Sequence, residues 1–232
     1  MVQISVIVPS LNEADAIASV LSPLQVWRRA GHEVIVVDGN STDATRALAA
    51  PLADRCITAG PGRAAQLNAG AALASGSLLL FLHADTTLPP DARGSLTALA
   101  ERERALWGRF DVSLDAPGSA YRVIETMMNL RSRLTGVATG DQAIFVTRAL
   151  FEQCGGFPSI ALMEDIALSK RLRREHRPHC LRSRVRTSAR RWQRDGVFST
   201  VIVMWGLRLA YVCGVSPARL RTLYERRHKT AK

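Results

Sequence analysis

The 232-residue sequence predicts an α/β protein, an open and mostly parallel sheet with helices on both faces, followed by a helical tail. Three observations carry this. Short apolar runs at 4–9, 33–38, 55–59 and 77–82 alternate with stretches whose apolar residues recur at helical spacing, as in strand–helix–strand crossovers. The runs are continuous rather than alternating, which suits strands covered on both faces. Each run also ends in polar or glycine-rich residues, where the crevice of an open parallel sheet takes its ligands.

In chain order, "ISVIVP" (4–9) is the first strand, closed by its proline. Val20, Leu21, Leu24 and Trp27 mark a helix that stops at Gly31. "EVIVVD" (33–38) is the second strand, and "GNSTD" turns the chain out of it. Thr42 to Ala50 reads as a helix capped by Ser41 or Thr42. "RCITA" (55–59) is a weaker strand, "GPGR" leads into an alanine-rich helix ending near Ser75, and "SLLLFL" (77–82) is the fourth strand. Beyond Pro90, Leu96 to Leu106 suggests a helix, and "WGRFDVSL" (107–114) a strand that returns antiparallel. Tyr121 to Leu134 is amphipathic, "GDQAIFV" (140–146) reads as a strand, and "GGFP" (155–158) as a turn. "MEDIALSKRLRR" (163–174) opens a helix, and "PHCLRSRVRTS" (178–188) is a strand pair or an extended stretch. A long apolar helix begins at Val197, so the chain divides into a body, 1–196, and a tail, 197–232.

Charge follows the same division. From Lys170 to Lys232 there are 18 basic residues against three acids; the rest has 13 against 17, so the net charge of +11 resides in the C-terminal part. Such a basic stretch suits phosphates or an anionic surface, or is simply a solvated face. No nucleic-acid motif or aromatic stacking platform accompanies it, so no nucleic-acid partner is expected. "VFSTVIVMWGLRLAYVCGV" (197–215) carries one charge, Arg208, near its middle, flanked by basic residues from Arg184 to Lys232. It reads as a packed helix or dimer contact, as a helix lying in a membrane interface, or, least well, as a span. The N-terminus lacks the basic start and apolar run of a signal peptide. The four scattered cysteines read as free thiols. Both point to the cytoplasm; an interfacial tail helix would add peripheral contact at the inner membrane face, and a packed one would not.

The chemistry-bearing residues sit at the strand ends. Asp38 can accept from a ribose or base edge, or cap the turn "DGNSTD". No GxGxxG follows the first strand, against a nicotinamide or flavin site. Asp85 offers a hard oxygen ligand to magnesium or manganese, which take few carboxylates and bind substrate phosphates, or caps the turn into "TTLPP". His83, two residues earlier, is a second ligand, an outer partner of one, or a bystander. Arg63 and Asn68, in "GPGRAAQLNAG", are natural partners of phosphate or a base edge. Glu164 and Asp165 open a helix, where a carboxylate is stabilised in its charged form and can act as a general base, or merely compensate the helix dipole.

In order, "VPSLNE", "VVDGNSTDAT", "GRAAQLNAG", "LLFLHADT", "GDQAIFV", "MEDIALSKRL" and "RRW" resemble a family 2 glycosyltransferase of the GT-A fold, over about residues 3–196. The likeness is greatest to compact bacterial members, including those associated with radical enzymes and the carotenoid-acid glycosyltransferases. The resemblance implies a nucleotide-sugar donor, a UDP-sugar first, held by Pro9, Leu11, Glu13, Asp38, Arg63, Asn68 and Ala84. It implies a divalent cation, manganese or magnesium, at the family's DxD motif, which here reads His83-Ala84-Asp85 and lacks its first acid. Asp165 matches the catalytic base, with Glu164 beside it. Arg190, Arg191 and Trp192 match the motif that attends the leaving diphosphate, although Ser188 stands where processive members have Gln or Arg. The implied reaction is an inverting, non-processive, metal-assisted transfer to a hydroxyl or carboxyl acceptor, which a lipid-like molecule would suit. The missing acid leaves an alternative, a nucleotide-sugar-binding or membrane-tethered scaffold without turnover.

Overall fold

The computed structural model describes residues 2–230, with side chains to Tyr224; the side chains of Arg226, Arg227 and Lys229, and all of Lys232, lie outside that description. Its first half is β1 (Ile4–Ser10), α1 (Ala14–Leu21), α2 (Gln25–Arg29), β2 (Glu33–Asp38), α3 (Thr45–Ala49), β3 (Arg55–Thr58), α4 (Arg63–Leu73) and β4 (Leu78–Phe81). The second half is β5 (Thr86–Thr87), α5 (Ala92–Arg102), β6 (Trp107–Leu114), α6 (Ser119–Thr135), β7 (Ile144–Thr147), α7 (Arg148–Gln153), α8 (Glu164–Glu175) and β8 (His179–Thr187). Helices α9 (Arg190–Asp195), α10 (Val197–Val212) and α11 (Pro217–Thr230) close the chain.

All strands share one sheet of order β3-β2-β1-β4-β7-β6-β8-β5. Pairings β1–β2, β2–β3, β1–β4 and β6–β8 are parallel; β4–β7, β6–β7 and β5–β8 are antiparallel. The chain runs from β1 outward through β2 and β3, then crosses to put β4 on the other side of β1. That reversal opens a crevice beyond the C-terminal ends of β1 and β4.

Strand side chains alternate between faces and so build two cores. Ile4, Val6, Val34, Val36, Leu78 and Leu80 meet Ile17, Leu21, Leu24 and Leu96 on one face. On the other, Ile7, Ile35, Val37, Leu79 and Phe81 meet Leu67, Leu150, Phe151, Leu168 and Leu172. Each such side chain stabilises the fold by about 1.5–3 kcal/mol when fully buried. Helix α4 sits close because Gly70 has no side chain: a Cβ there would stand 2.5 Å from Ile7 Cγ2.

Several sequence expectations need correcting. The helix before Gly31 is two helices, α1 and α2. Helix α3 starts at Thr45, because the N–H of Thr42 donates to Asn12 Oδ1 (2.9 Å) and Asp43 Oδ1 accepts from the Thr45 N–H (3.0 Å). Helix α5 begins at Ala92, which is fully buried, and ends before Glu103, whose carboxylate meets His179 Nε2 at 3.0 Å. The antiparallel return is made by β7 rather than by residues 107–114, which run in the same direction as β4. "GDQAIFV" is strand only from Ile144; Gly140–Gln142 form a single 3-10 turn. Residues 178–188 hold one strand, β8, with a register shift opposite Phe110 and Asp111.

Helix α6 covers much of β6. Asn129 donates to the Val112 carbonyl (3.0 Å) and accepts its N–H (2.9 Å), and Glu125 Oε1 accepts the Leu114 N–H (2.6 Å). These side chains satisfy strand groups that β7, paired only with Trp107 and Gly108, does not reach. Beneath α6 lies Arg109, fully buried, its guanidinium donating to Asp111, to Ser132 Oγ (3.0 Å) and to the Asn129 carbonyl (3.2 Å).

The tail packs on the body. Leu207 of α10 and Leu220 of α11 join Val137, Met163 and Ile166 in one cluster. The opposite face of α10 exposes Phe198, Ile202, Trp205, Leu209 and Val212, and α6 exposes Val123, Met127, Leu130 and Leu134. Among the described residues no helix is long and apolar enough to cross a membrane.

Candidate active site

The site grows from the C-terminal end of β4, where the chain leaves the sheet through His83, Ala84 and Asp85. Strand β7 runs antiparallel to β4, with Ile144 opposite Phe81. The turn before β7 therefore arrives where β4 ends. There Gly140 lies against the His83 ring: a Cβ at Gly140 would stand 2.3 Å from His83 Nε2, so only glycine fits without displacing the ring.

The same turn is pinned to α8. The Gly140 N–H donates to Asp165 Oδ2 (2.9 Å), while Ser169 Oγ accepts the Ala138 N–H and donates to its carbonyl, both at 3.1 Å. Met163, before α8, holds a left-handed backbone (φ 71°). Such a conformation costs a non-glycine residue on the order of 1–3 kcal/mol; burial against Val137, Ile166 and Leu207 holds it in place. The first residues of α8, Glu164 and Asp165, thus line one pocket with Arg63 and His83, and Gly140 and Phe157 form part of its wall.

The charges in this pocket differ in character. Asp165 is half-buried and accepts the N–H groups of Gly140 and Ile166 (2.7 Å). A carboxylate has about four lone-pair sites, so capacity remains toward the pocket. Glu164 is buried, and its carboxyl is pushed up from the usual range by burial first and then by Asp165, against the pull of Arg63 at 3.6 Å. For Glu164, desolvation therefore outweighs the helix terminus. His83 is held well below the ordinary histidine value by burial, then by the charges of Arg63 and Arg191, so its imidazole is neutral at pH 7.

A second group gathers beside it. Arg190 Nη2 donates to Glu13 Oε2 at 2.8 Å and its Nε to Ser188 Oγ at 3.1 Å. The negative charges of Glu13, Asp85 and Asp15 favour the guanidinium. The Asp85 carbonyl accepts the Ser188 N–H (3.2 Å), and its carboxylate accepts from Thr86 Oγ1 (3.3 Å). Among the described residues no three His, Cys, Asp or Glu side chains converge as a metal cage. Asp85 offers a half-buried carboxylate beside Arg190, whereas the neutral imidazole of His83, two residues earlier, lines the neighbouring pocket. A single carboxylate fits magnesium or manganese, which keep waters and take further ligands from a diphosphate.

Other candidate residues have structural partners. Asp38 is buried, with Oδ2 accepting the Ser41 N–H (2.9 Å) and Oδ1 accepting from Ser10 Oγ (3.4 Å). Asn68 clamps Phe157, donating to its carbonyl (2.8 Å) and accepting its N–H (3.0 Å). Pro9 is buried at the end of β1 and Ala84 in the core, whereas Leu11 is exposed beside the crevice. Arg191 stacks over the Tyr224 ring at 5.7 Å. Trp192 packs with Leu114, Ile124 and Ala189, away from the pocket. The structure thus brings together Arg63, His83, Glu164 and Asp165, and separately Glu13, Asp85 and Arg190.

Sequence reasoning missed Gly140, Met163, Ser169 and Gln66, whose amide reaches the Ser10 carbonyl (3.1 Å). It also missed Asn12, which takes Ser41 Oγ on its N–H (2.9 Å) and so joins the β1 and β2 loops. One signal was available: Thr139-x-x-Gln142 is capping-box spacing, and Gln142 Oε1 does accept the Thr139 N–H (3.2 Å).

Comparison with known proteins identifies the family and the fold. The family model described as "Glycosyl transferase family 2" matches residues 5–153, well over half the chain. That stretch includes Glu13, Asp38, Arg63, His83, Asp85 and Gly140 and stops short of Asp165. A search of curated proteins found no match. Among solved structures, S. aureus TarS 1–349 in complex with UDP has a TM-score of 0.64 at 19% identity, over 80% of this chain and 60% of that one. The mannosyltransferase PcManGT from Pyrobaculum calidifontis, in complex with GDP-Man and Mn2+, gives 0.61 at 20% identity, over 80% and 56%. Mannosyl-3-phosphoglycerate synthase from Rubrobacter xylanophilus gives 0.57 at 19% identity, over 92% and 76%. The chain spans less than two thirds of the TarS and PcManGT chains it matches. At these identities the likeness is one of fold, the GT-A arrangement.

Proposed function

Because the chain belongs to glycosyl transferase family 2, we propose that it moves a sugar, with inversion and one residue at a time, from a nucleoside diphosphate sugar to an acceptor hydroxyl or carboxyl group. The observation that carries this is Asp165, a half-buried carboxylate fixed by two backbone N–H groups at the mouth of the strand-end crevice. Asp165 takes the proton of an acceptor hydroxyl; a carboxyl acceptor is already ionised at pH 7 and needs no base. The acceptor oxygen then attacks the anomeric carbon as the bond to the diphosphate breaks on the opposite face. Glu13 holds Arg190 where its charge can meet the leaving diphosphate. Asp85 would hold a divalent cation there, and the cation would supply charge stabilisation to the leaving group. The solved complexes of similar fold contain UDP, UDP-GlcNAc or GDP-Man, which makes a UDP-sugar the first donor to try.

Thermal shift with UDP-sugars and GDP-mannose, with and without manganese, tests donor binding. A ligand at 100 times its Kd adds about 2.7 kcal/mol, or roughly 5–11 °C at 2–4 °C per kcal/mol. A rise with at least one donor, larger with manganese, is expected; no rise with any would remove the nucleotide-sugar reading.

The exposed stripes of α10 and α6 support a second part of the proposal, peripheral contact with an anionic membrane. Phe198, Ile202, Trp205, Leu209 and Val212 recur every three or four residues along one face, and the surrounding tail is basic. Apolar area with basic flanks suits an interfacial helix. Full-length protein should co-sediment with phosphatidylglycerol vesicles, and Ile202→Glu with Trp205→Glu should abolish this. Unchanged binding of that variant, or dimerisation through this face without vesicle binding, would refute membrane contact through α10.

A further inference from the structure

Helix α6 turns its apolar stripe outward and Arg131 inward. Nε and Nη2 of Arg131 are buried and have no hydrogen-bond partner among the described residues; Nη1 alone reaches the Val137 carbonyl, at 3.5 Å. Helix α10 does likewise with Arg208, whose Nε is also buried without a partner. The two guanidiniums lie within electrostatic reach of each other, and Asp141 and Asp165 lie within reach of Arg131. Burial and then the Arg208 charge push the Arg131 guanidinium down to about 10. A third orphan donor, Nε2 of the fully buried Gln142, belongs to the turn that carries Asp141.

Native proteins rarely leave such groups unmatched, and an orphan cluster is a place where water, an ion or a ligand can bind. Arginine in particular matches the two oxygens of a carboxylate or phosphate. Two like charges placed together are unfavourable; Asp141 and Asp165 offset part of this at Arg131, and an anion between the two guanidiniums would offset more and satisfy the orphan donors. The cluster differs from the Glu13–Asp85–Arg190 corner, where Arg190 already has a carboxylate partner. It adjoins Asp165 on the side covered by α6 and α10.

We propose that Arg131 and Arg208 form an anion site that holds the acidic group, carboxylate or phosphate, of the sugar acceptor. This rests on Asp165 being the base, since the acceptor's reacting oxygen must lie at Asp165 while its anion lies beneath α6 and α10. Specificity for an acidic acceptor then comes from helices outside the donor crevice.

Inorganic phosphate is the probe, measured by thermal shift with UDP and manganese saturating the donor site. Sodium chloride at matched ionic strength is the control. At about ten times its Kd, phosphate should raise the wild-type midpoint by roughly 3–6 °C beyond chloride. Arg131→Gln and Arg208→Gln should each lose this rise while keeping the UDP-induced one. Arg208→Gln removes a like charge from Arg131, so without phosphate it should melt no lower than wild type, which guards against a folding defect. No wild-type rise beyond chloride, or an equal rise in both variants, would overturn the site. Either result is independent of turnover, so it leaves the glycosyl-transfer reading to its own test.

Discussion

Replacing Asp165 with asparagine is expected to slow sugar transfer by about 10²–10⁴-fold, the usual worth of a positioned general base, with donor binding unchanged. The amide is nearly isosteric and cannot take the acceptor proton. One of its atoms can still accept a backbone N–H, from Gly140 or Ile166; the other loses its acceptor. A lost hydrogen bond of that kind costs about 0.5–1.5 kcal/mol, or a few degrees in midpoint at 2–4 °C per kcal/mol. The rate loss is thus far larger than any unfolding could cause at assay temperature. Parallel measurement of donor-induced thermal shift and steady-state rate checks this. A variant that binds donor and turns over at near wild-type rate would remove Asp165 from the role.

Asp111→Ala is expected to have the largest effect on stability. Arg109 is fully buried, and Asp111 is its charge partner, shared with Arg133 at 2.7 Å. Truncating one member of a buried pair leaves an uncompensated charge, at a cost of about 3–5 kcal/mol. At 2–4 °C per kcal/mol this lowers the midpoint by roughly 6–20 °C. Ser132 and the Asn129 carbonyl still satisfy part of the guanidinium, which places the effect inside that range. Replacing Arg109 as well, by Met together with Asp111→Leu, should recover most of the loss, because a packed apolar pair has no charge to desolvate. A single Asp111→Ala midpoint within 2 °C of wild type would show that the pair is not a stabilising element of the α6–β6 frame.

The legible part of this fold was the part governed by local pattern. Strands β1, β2 and β4 are continuous apolar runs and β3 a weaker one, and their ends carry the polar residues, so the strand–helix alternation and the crevice could be read from spacing. The remainder depends on contacts distant in sequence. Gly140 is a site residue only because β7 lies antiparallel beside β4, and nothing local in "GDQAIFV" announces that pairing. Met163 has an unremarkable side chain; its left-handed backbone is imposed by what buries it. Asp38 and Asn68 have the right chemistry for a nucleotide, yet both side chains are engaged by Ser41 and Phe157, which residue type alone does not disclose. Arg131 was hidden in an amphipathic helix, where a charged residue would ordinarily face water.

The central claim is that the pocket of Arg63, His83, Glu164 and Asp165 breaks a sugar–diphosphate bond. The most direct measurement is release of nucleoside diphosphate from UDP-sugars and GDP-mannose in the presence of manganese, by wild type and by Asp165→Asn, with carboxylate- and phosphate-bearing alcohols as acceptors. Wild type should release nucleoside diphosphate from at least one donor, dependent on acceptor, and the variant should lose this release. Donor binding with no release by wild type under any pairing would contradict it and leave a nucleotide-sugar-binding scaffold.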